Sequence, residues 1–326
     1  MRGMTIFYIS IAVLVIGLGL GLGLGLGLKK DNKNKTNYKD KTMNTKGGQG
    51  IYKLSFHGTT KIIGLGIIGN IMLLLELYHH HSDLDNIYFD MYSNGKCIVY
   101  DEEYEEKEKI KNPFEYYFEP RFNLETTKII DFPIGSNHSS GPFNYGKYDH
   151  NNYKYVYKKI KDKFYNNYKI KDDISLFVNN FFVDNFKNTK VLGVHIRYND
   201  HTDKKSIDYH IKRIRHVLSK NKIDKIFIAS DTICCINDII EAFKNIDIIY
   251  LKNIERVTSY NDNRGQHDRI NTKTEIHNNR KYHNYLCGKE AIMDVLLLAK
   301  CNYLLKSKSA LTDAAIVLNE NIEKVF

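Results

Sequence analysis

The stretch Val191-Leu192-Gly193-Val194-His195-Ile196-Arg197-Tyr198-Asn199-Asp200 reads as a buried strand that ends by presenting three polar side chains, His195, Arg197 and Asp200. Val191, Leu192, Val194 and Ile196 supply the β-branched, apolar character of a parallel strand covered on both faces. Such strands alternate weakly because neither face meets water. The apolar pattern stops at Asp200. In an open α/β sheet, ligands bind in the crevice beyond the carboxyl ends of the strands, which is where this arginine is expected. Its planar, permanently charged fork suits phosphate oxygens. An internal ion pair between Arg197 and Asp200 is the structural alternative.

Toward the C-terminus, strands and helices alternate. A helix over Ser206–Lys220 places Ile207, Ile211, Ile214 and Leu218 at spacings of four and three, one buried face. The strand Lys225–Ala229 follows and closes on Ser230-Asp231, then a helix over Ile236–Lys244 and a strand over Ile246–Leu251. A polar loop to about Tyr285 holds His267, His277 and His283 with Arg264, Arg269 and Arg280. It reads as a flap over a bound ligand or as solvated surface. A helix over Lys289–Lys300 carrying Asp294, a strand over Asn302–Leu305 and a helix over Leu311–Leu318 complete the series. This order implies a parallel, doubly wound sheet. Ser307 and Ser309, just ahead of the last helix, are ordinary N-cap residues, and the same geometry makes an anion site from backbone N–H groups and the helix dipole.

Toward the N-terminus, a strand over Tyr52–Phe56, a glycine-bearing loop (Gly64, Gly66, Gly69, Asn70), an apolar helix over Ile71–Tyr78 and a strand over Asn86–Met91 form a βαβ opening. Residues 101–180, rich in Tyr, Phe, Lys and Asn, show weak periodicity and are expected to hold helices and an interdomain connection. The expectation is two Rossmann-like domains with a cleft between them, 51–185 and 186–326. Residues 31–50 are polar and lysine- and asparagine-rich, a flexible stem. Ile6–Leu28 carries no charge and is flanked by Arg2, Lys29 and Lys30, so residues 1–30 read as a single transmembrane anchor. Lysines are denser after Leu28, which opposes a lumenal C-terminal domain under the positive-inside rule and leaves the orientation undecided.

Composition narrows the function classes. The formal charge of +10 points to anionic partners, but the chain has no tryptophan and no stretch that interleaves arginines with aromatics, so a nucleic-acid groove is not implied. Five cysteines without a C-x-x-C give neither a zinc motif nor a disulfide framework, and most read as buried apolar fillers. His79-His80-His81 is no metal site either: consecutive helical residues point apart and no H-E-x-x-H supports them.

Taken together, four ordered stations resemble the fucosyltransferase superfamily that covers the α1,2-, α1,6- and protein O-fucosyltransferases. They are the strand ending in His195-x-Arg197-x-x-Asp200, the Ser230-Asp231 strand end, the segment from Asp294 through Cys301 to Ser307 and Ser309, and Gly69-Asn70 ahead of a helix. The resemblance covers about 140 residues well and the N-terminal half thinly. It implies a GT-B fold and a metal-independent, inverting transfer of fucose from GDP-fucose, the donor substrate, to a glycan or protein acceptor. By the same resemblance, Arg197 would hold the β-phosphate and assist departure of GDP, and His195 would support the diphosphate or nucleoside. Asp294 would hold the guanine or ribose, with Ser307 or Ser309 adding phosphate hydrogen bonds. Gly69, Asn70, Asp200 and Asp231 fall in the same donor-binding set. Asp203 has the chemical type and position of a general base, or is a solvated loop aspartate. Two departures stand out: Tyr198 where many members carry a second arginine, and Ser309-Ala310 where a serine pair is common. They raise the alternative of a catalytically silent relative that binds a nucleotide sugar or glycan without transferring it.

Overall fold

The computed structural model describes residues 51–56, 67–80, 86–91, 100–124, 129–134, 150–198, 205–260, 280–307, 309–319 and 323–326. The expected membrane span and stem, and Asp200 and Asp203, lie outside the described residues. Among those described, no helix is long and apolar enough to cross a membrane. By compactness the chain divides into Met1–Gln49 and Gly50–Phe326, and all that follows concerns the second unit.

That unit is mixed α/β with two parallel sheets. The first has the strand order β2-β1-β4, from β1 (Ile51–Phe56), β2 (Ile87–Phe89) and β4 (Ile129–Ile134), with α1 (Ile67–His80) linking β1 to β2. The βαβ opening is therefore present. Strand β4 was not expected, because Asp131 and Pro133 interrupt its apolar run. As an edge strand it tolerates a residue without an N–H. The other edge, β2, is satisfied by side chains: Ile87 N donates to Asn167 Oδ1 at 2.7 Å, Phe89 N to the Tyr168 hydroxyl at 2.7 Å, and Asn112 Nδ2 to Phe89 O at 2.8 Å. Covering an edge in this way blocks pairing with another chain.

Residues 101–180 resolve into α2 (Glu102–Glu108), a 3-10 turn (Pro113–Tyr116), β3 (Phe118–Pro120), β4, α3 (His150–Asn167), β5 (Tyr168–Ile170) and α4 (Asp172–Asn185). Strands β3 and β5 form a small antiparallel pair. Their weak periodicity has a physical origin. Tyr116, Tyr117, Phe114, Phe118, Phe164 and Tyr168 are all buried and pack edge-on or stacked against one another, so aromatic contacts take the place of an amphipathic stripe.

The second sheet has the order β10-β9-β6-β7-β8, from β6 (Val191–Ile196), β7 (Lys225–Ser230), β8 (Asp247–Ile249), β9 (Tyr303–Leu305) and β10 (Lys324–Val325). Every residue of β6 is buried, as a central, doubly covered strand requires. Leu192, Val194, Ile196, Ile226, Ile228 and Leu305 pack on one face with α5 (Ile207–Leu218) and α6 (Ile233–Ala242). Val191, Phe227, Ala229 and Leu304 pack on the other with α7 (His283–Leu298) and α8 (Ala310–Leu318). This is the doubly wound arrangement. Gly193 has a packing reason: a Cβ there would meet Leu298 Cδ2 at 2.9 Å and Cys301 Sγ at 3.0 Å. Helices α1 and α3 pack on α8, and α1 on α7, so the two halves share one continuous apolar core.

Several boundaries move. Helix α1 begins at Ile67, so Gly69 and Asn70 lie in its first turn and not in a loop ahead of it; Ile67 and Ile68 are buried and extend its apolar face. Helix α7 begins at His283, six residues before Lys289, with Gly288 inside it. On α5 the fully buried positions are His210, Ile214 and Val217, while Ile207, Ile211 and Leu218 are half-buried. Cys235, Cys287 and Cys301 are buried, as fillers should be.

Candidate functional site

The parallel register sets the carboxyl ends of β6, β7 and β9 side by side, with Ile196 opposite Ser230 and Val194 opposite Leu305. The expected stations converge there. His195 is buried, and its Nδ1 lies 3.1 Å from Ser307 Oγ, a contact that joins two stations 112 residues apart. Arg197, one residue beyond the end of β6, is exposed. Ser309 is the N-cap of α8: its Oγ accepts from Leu311 N at 3.2 Å. Thr312 Oγ1 donates to Ser307 O at 2.8 Å and to Ser309 O at 2.9 Å, which pins the turn between strand and helix. Lys306, next to Ser307, is ion-paired to Asp313 on the first turn of α8 at 3.1 Å.

Asp231 meets the backbone next to Arg197. Both its carboxylate oxygens accept from Tyr198 N, at 3.0 and 3.2 Å, and Oδ1 also accepts from Thr232 Oγ1 at 3.1 Å. The carboxylate ties the end of β7 to the backbone just after Arg197 and so fixes how the arginine is presented. The Tyr198 ring packs against Tyr260 with centroids 4.8 Å apart, and the Tyr260 hydroxyl donates to Asp238 at 2.5 Å. Tyr198 therefore makes an aromatic contact directly after Arg197. Asn70, 3% exposed, lies on α1, which packs against α8.

Behind this edge lies a cluster of charges. Asp294 on α7 sits deep in the protein while keeping partial exposure, and its Oδ1 is buried without a hydrogen-bond partner among the described residues. Burial pushes its carboxyl up to about 7, against the pull of Arg256 and with a small push from Glu290. Glu290, one turn earlier, is raised by burial and drawn back by Arg280, whose guanidinium engages both its oxygens. Arg280 and His283 also face Glu255, each at 3.7 Å. Those two residues of the expected polar flap thus belong to an ion cluster, while His267, His277, Arg264 and Arg269 lie outside the described residues. Glu290 also lines a cavity of about 460 Å³ between α4 and the residues of and after β8, with Phe177, Phe181, Ile249 and Leu251. Arg256 was not anticipated. It sits in a stretch read as polar loop, and the only hint was its apolar neighbours Ile254 and Val257.

Among the described residues no group of three or more His, Cys, Asp or Glu side chains is placed to hold a metal ion. Chemically, an exposed guanidinium beside an imidazole, a serine hydroxyl and a helix N-terminus suits a diphosphate. A deep carboxylate suits the N–H or hydroxyl groups of a nucleoside.

No protein-family model and no curated protein matches the sequence. Among solved structures, the chain is similar to NodZ α1,6-fucosyltransferase soaked with GDP-fucose, with a TM-score of 0.49 at 15% identity over 83% of this chain and 93% of that one. Fucosyltransferase NodZ from Bradyrhizobium gives a TM-score of 0.49 at 14% identity over 82% and 93%. POFUT1 in complex with GDP-fucose gives 0.37 at 12% identity over 84% and 73%.

Proposed function

We propose that this chain is a membrane-anchored glycosyltransferase that transfers fucose from GDP-fucose to a glycan or protein acceptor, with inversion and without a metal ion. The observation that carries the reading is the contact between His195 and Ser307 at the carboxyl edge of the sheet, beside Arg197. It brings together stations that a transferase needs around a leaving diphosphate. Arg197 meets charge as it develops on the β-phosphate, and a contact that strengthens on the way to the transition state lowers the barrier. His195 and Ser307 add hydrogen bonds to the diphosphate, and the N-terminus of α8 behind Ser309 adds its dipole. Asp294 accepts from the guanine or ribose. Asp203 takes the acceptor proton as general base, and Asp200 and the Gly69-Asn70 turn complete the donor side. Residues 1–30 anchor the chain, and 51–185 and 186–326 act as acceptor-side and donor-side domains.

The test is thermal stability of the full chain with GDP, GDP-fucose, GDP-mannose and UDP-glucose. A ligand at a hundred times its dissociation constant stabilises the native state by about 2.7 kcal/mol. A shift with GDP and GDP-fucose that is absent in Arg197→Ala supports the reading, and fucose transfer lost in the same variant supports catalysis. Cooperative melting with no shift for any nucleotide sinks it. A second reading, a silent nucleotide-sugar binder, is favoured by Tyr198 packed on Tyr260 in place of a second arginine; it expects the shift and no turnover in the wild type.

A further inference from the structure

Helix α8 opens at the carboxyl edge of the sheet with Ser309 as its N-cap, and Asp313 is the acidic residue of its first turn. The neighbouring Thr312 donates to Ser307 O and Ser309 O, which holds that first turn against the serine that meets His195. Asp313 is 5% exposed, and Lys306 Nζ stands 3.1 Å from its Oδ1. The lysine backbone is fixed on both sides: its N donates to Phe326 O at 2.9 Å, and Arg213 Nη1 donates to its carbonyl at 2.9 Å. A carboxylate in the first turn draws on the positive end of the helix dipole, the same feature that attracts an anionic ligand. An ion pair as buried as this one adds little net stability, because the desolvation of two charges offsets their attraction. Its larger effect is on the field at the start of α8.

We propose that Lys306 is a positioning residue that acts through Asp313: it cancels the carboxylate in the first turn of α8 and so keeps that helix N-terminus attractive to the donor diphosphate. The proposal rests on the nucleotide-sugar reading. Lys306 directly precedes Ser307, and both Ser307 and the start of α8 belong to the phosphate side of that reading. With Asp313 unmatched, an anion approaching Ser307 would meet a negative charge in a site of lowered dielectric, where repulsion is felt more strongly than in water. With the pair formed, its net charge is zero and the backbone N–H groups and the dipole act unopposed. The residue after Arg197 is Tyr198, which brings no second guanidinium from that strand end to outweigh a bare carboxylate.

The test is calorimetric binding of GDP and of guanosine to the full chain as wild type, Asp313→Asn, Lys306→Met and the double variant. Burial raises the Asp313 carboxyl, so the titrations are run on the alkaline side of neutrality to keep it charged. Asp313→Asn leaves the lysine unmatched and is expected to tighten GDP about tenfold, while Lys306→Met leaves the carboxylate unmatched and is expected to weaken it about tenfold. The double variant restores a net charge of zero, and its GDP affinity is expected to return to within about threefold of the wild type. Guanosine carries no phosphate charge and is expected to bind all four proteins alike, whereas a purely structural role would shift both ligands together. Folded single variants with wild-type GDP affinity, or with equal losses for GDP and guanosine, overturn the proposal. If one single variant does not fold, the other measured against the double variant decides by the same signs. A wild type that binds no GDP refutes the nucleotide-sugar reading and the proposal with it; a wild type that binds GDP while the variants ignore the charge of the pair refutes the proposal alone.

Discussion

Replacing Asp101 by Ala tests whether one carboxylate joins the two halves. Helix α7 cannot cap itself: the residue at its N-cap position is Tyr282, in left-handed backbone with φ 59°, and makes no side-chain cap. Its first amides are served from the other half, by Asp101 Oδ2, which accepts from Asn284 N at 3.1 Å and Tyr285 N at 3.3 Å. The other oxygen accepts from Tyr104 N at 3.0 Å and caps α2. An N-cap is worth about 1 kcal/mol, and each further buried amide left without its charged acceptor costs about 1–1.5 kcal/mol, so Asp101→Ala is expected to cost about 3–4 kcal/mol. That is a large share of the 5–15 kcal/mol of an ordinary domain. Asp101→Asn keeps one acceptor and is expected to lose about half as much. Urea unfolding of the full chain, read as a change in midpoint at constant slope, measures both. An alanine variant within about 0.5 kcal/mol of the wild type would falsify the clamp. Because α7 also carries Glu290 and Asp294, the proposed GDP binding should weaken in Asp101→Ala even where the protein remains folded.

Other outcomes follow from the same contacts. Gly288→Ala would put a Cβ inside the Tyr117 hydroxyl and 2.6 Å from the ring carbon that bears it; that ring is buried and its hydroxyl donates to Tyr285 O at 3.0 Å. A loss of about 3 kcal/mol is expected in urea, partly relieved by Tyr117→Phe, and an unchanged midpoint would contradict the packing. His210, 7% exposed, has its pKa lowered from 6.5 to about 4 by burial and by Arg213. Between those values the unfolded chain binds a proton that the folded one refuses, so stability falls as pH falls. At pH 5 the deficit is about 2 kcal/mol, at 1.36 kcal/mol per unit below 6.5. His210→Gln should remove that part of the acid slope between pH 7.5 and 5; equal slopes in the two proteins would show that His210 does not titrate this way.

The strand-end stations were legible because a parallel sheet turns sequence order into neighbourhood. Once Val191–Ile196 and Tyr303–Leu305 are strands in one sheet, His195 and Ser307 fall on adjacent carboxyl ends, and the 3.1 Å contact follows from register. Gly69-Asn70 was misplaced as a loop, since a glycine in the first turn of α1 looks like a break until Ile67 and Ile68 are seen to be buried. The aromatic middle was not legible. Tyr104, Tyr117 and Tyr285 stack across the two halves, with Tyr104 and Tyr285 centroids 3.7 Å apart, and such long-range contacts leave no local period. Arg256 was hidden for the same reason: three carbonyls, one at the end of β7 and two after β8, make its site.

What the sequence pattern could not convey is how the acids near the edge are spent. Asp231 accepts from the Tyr198 amide, Asp101 from amides of α2 and α7, and Asp313 pairs with Lys306. Carboxylates that accept from backbone N–H groups or pair with lysine contribute little net repulsion to an incoming anion while they fix the chain that presents Arg197 and Ser307. Asp294 is the exception, deep, partly exposed and short of one partner among the described residues. A carboxyl in that position is raised by burial, so its charge is weakened near neutral pH.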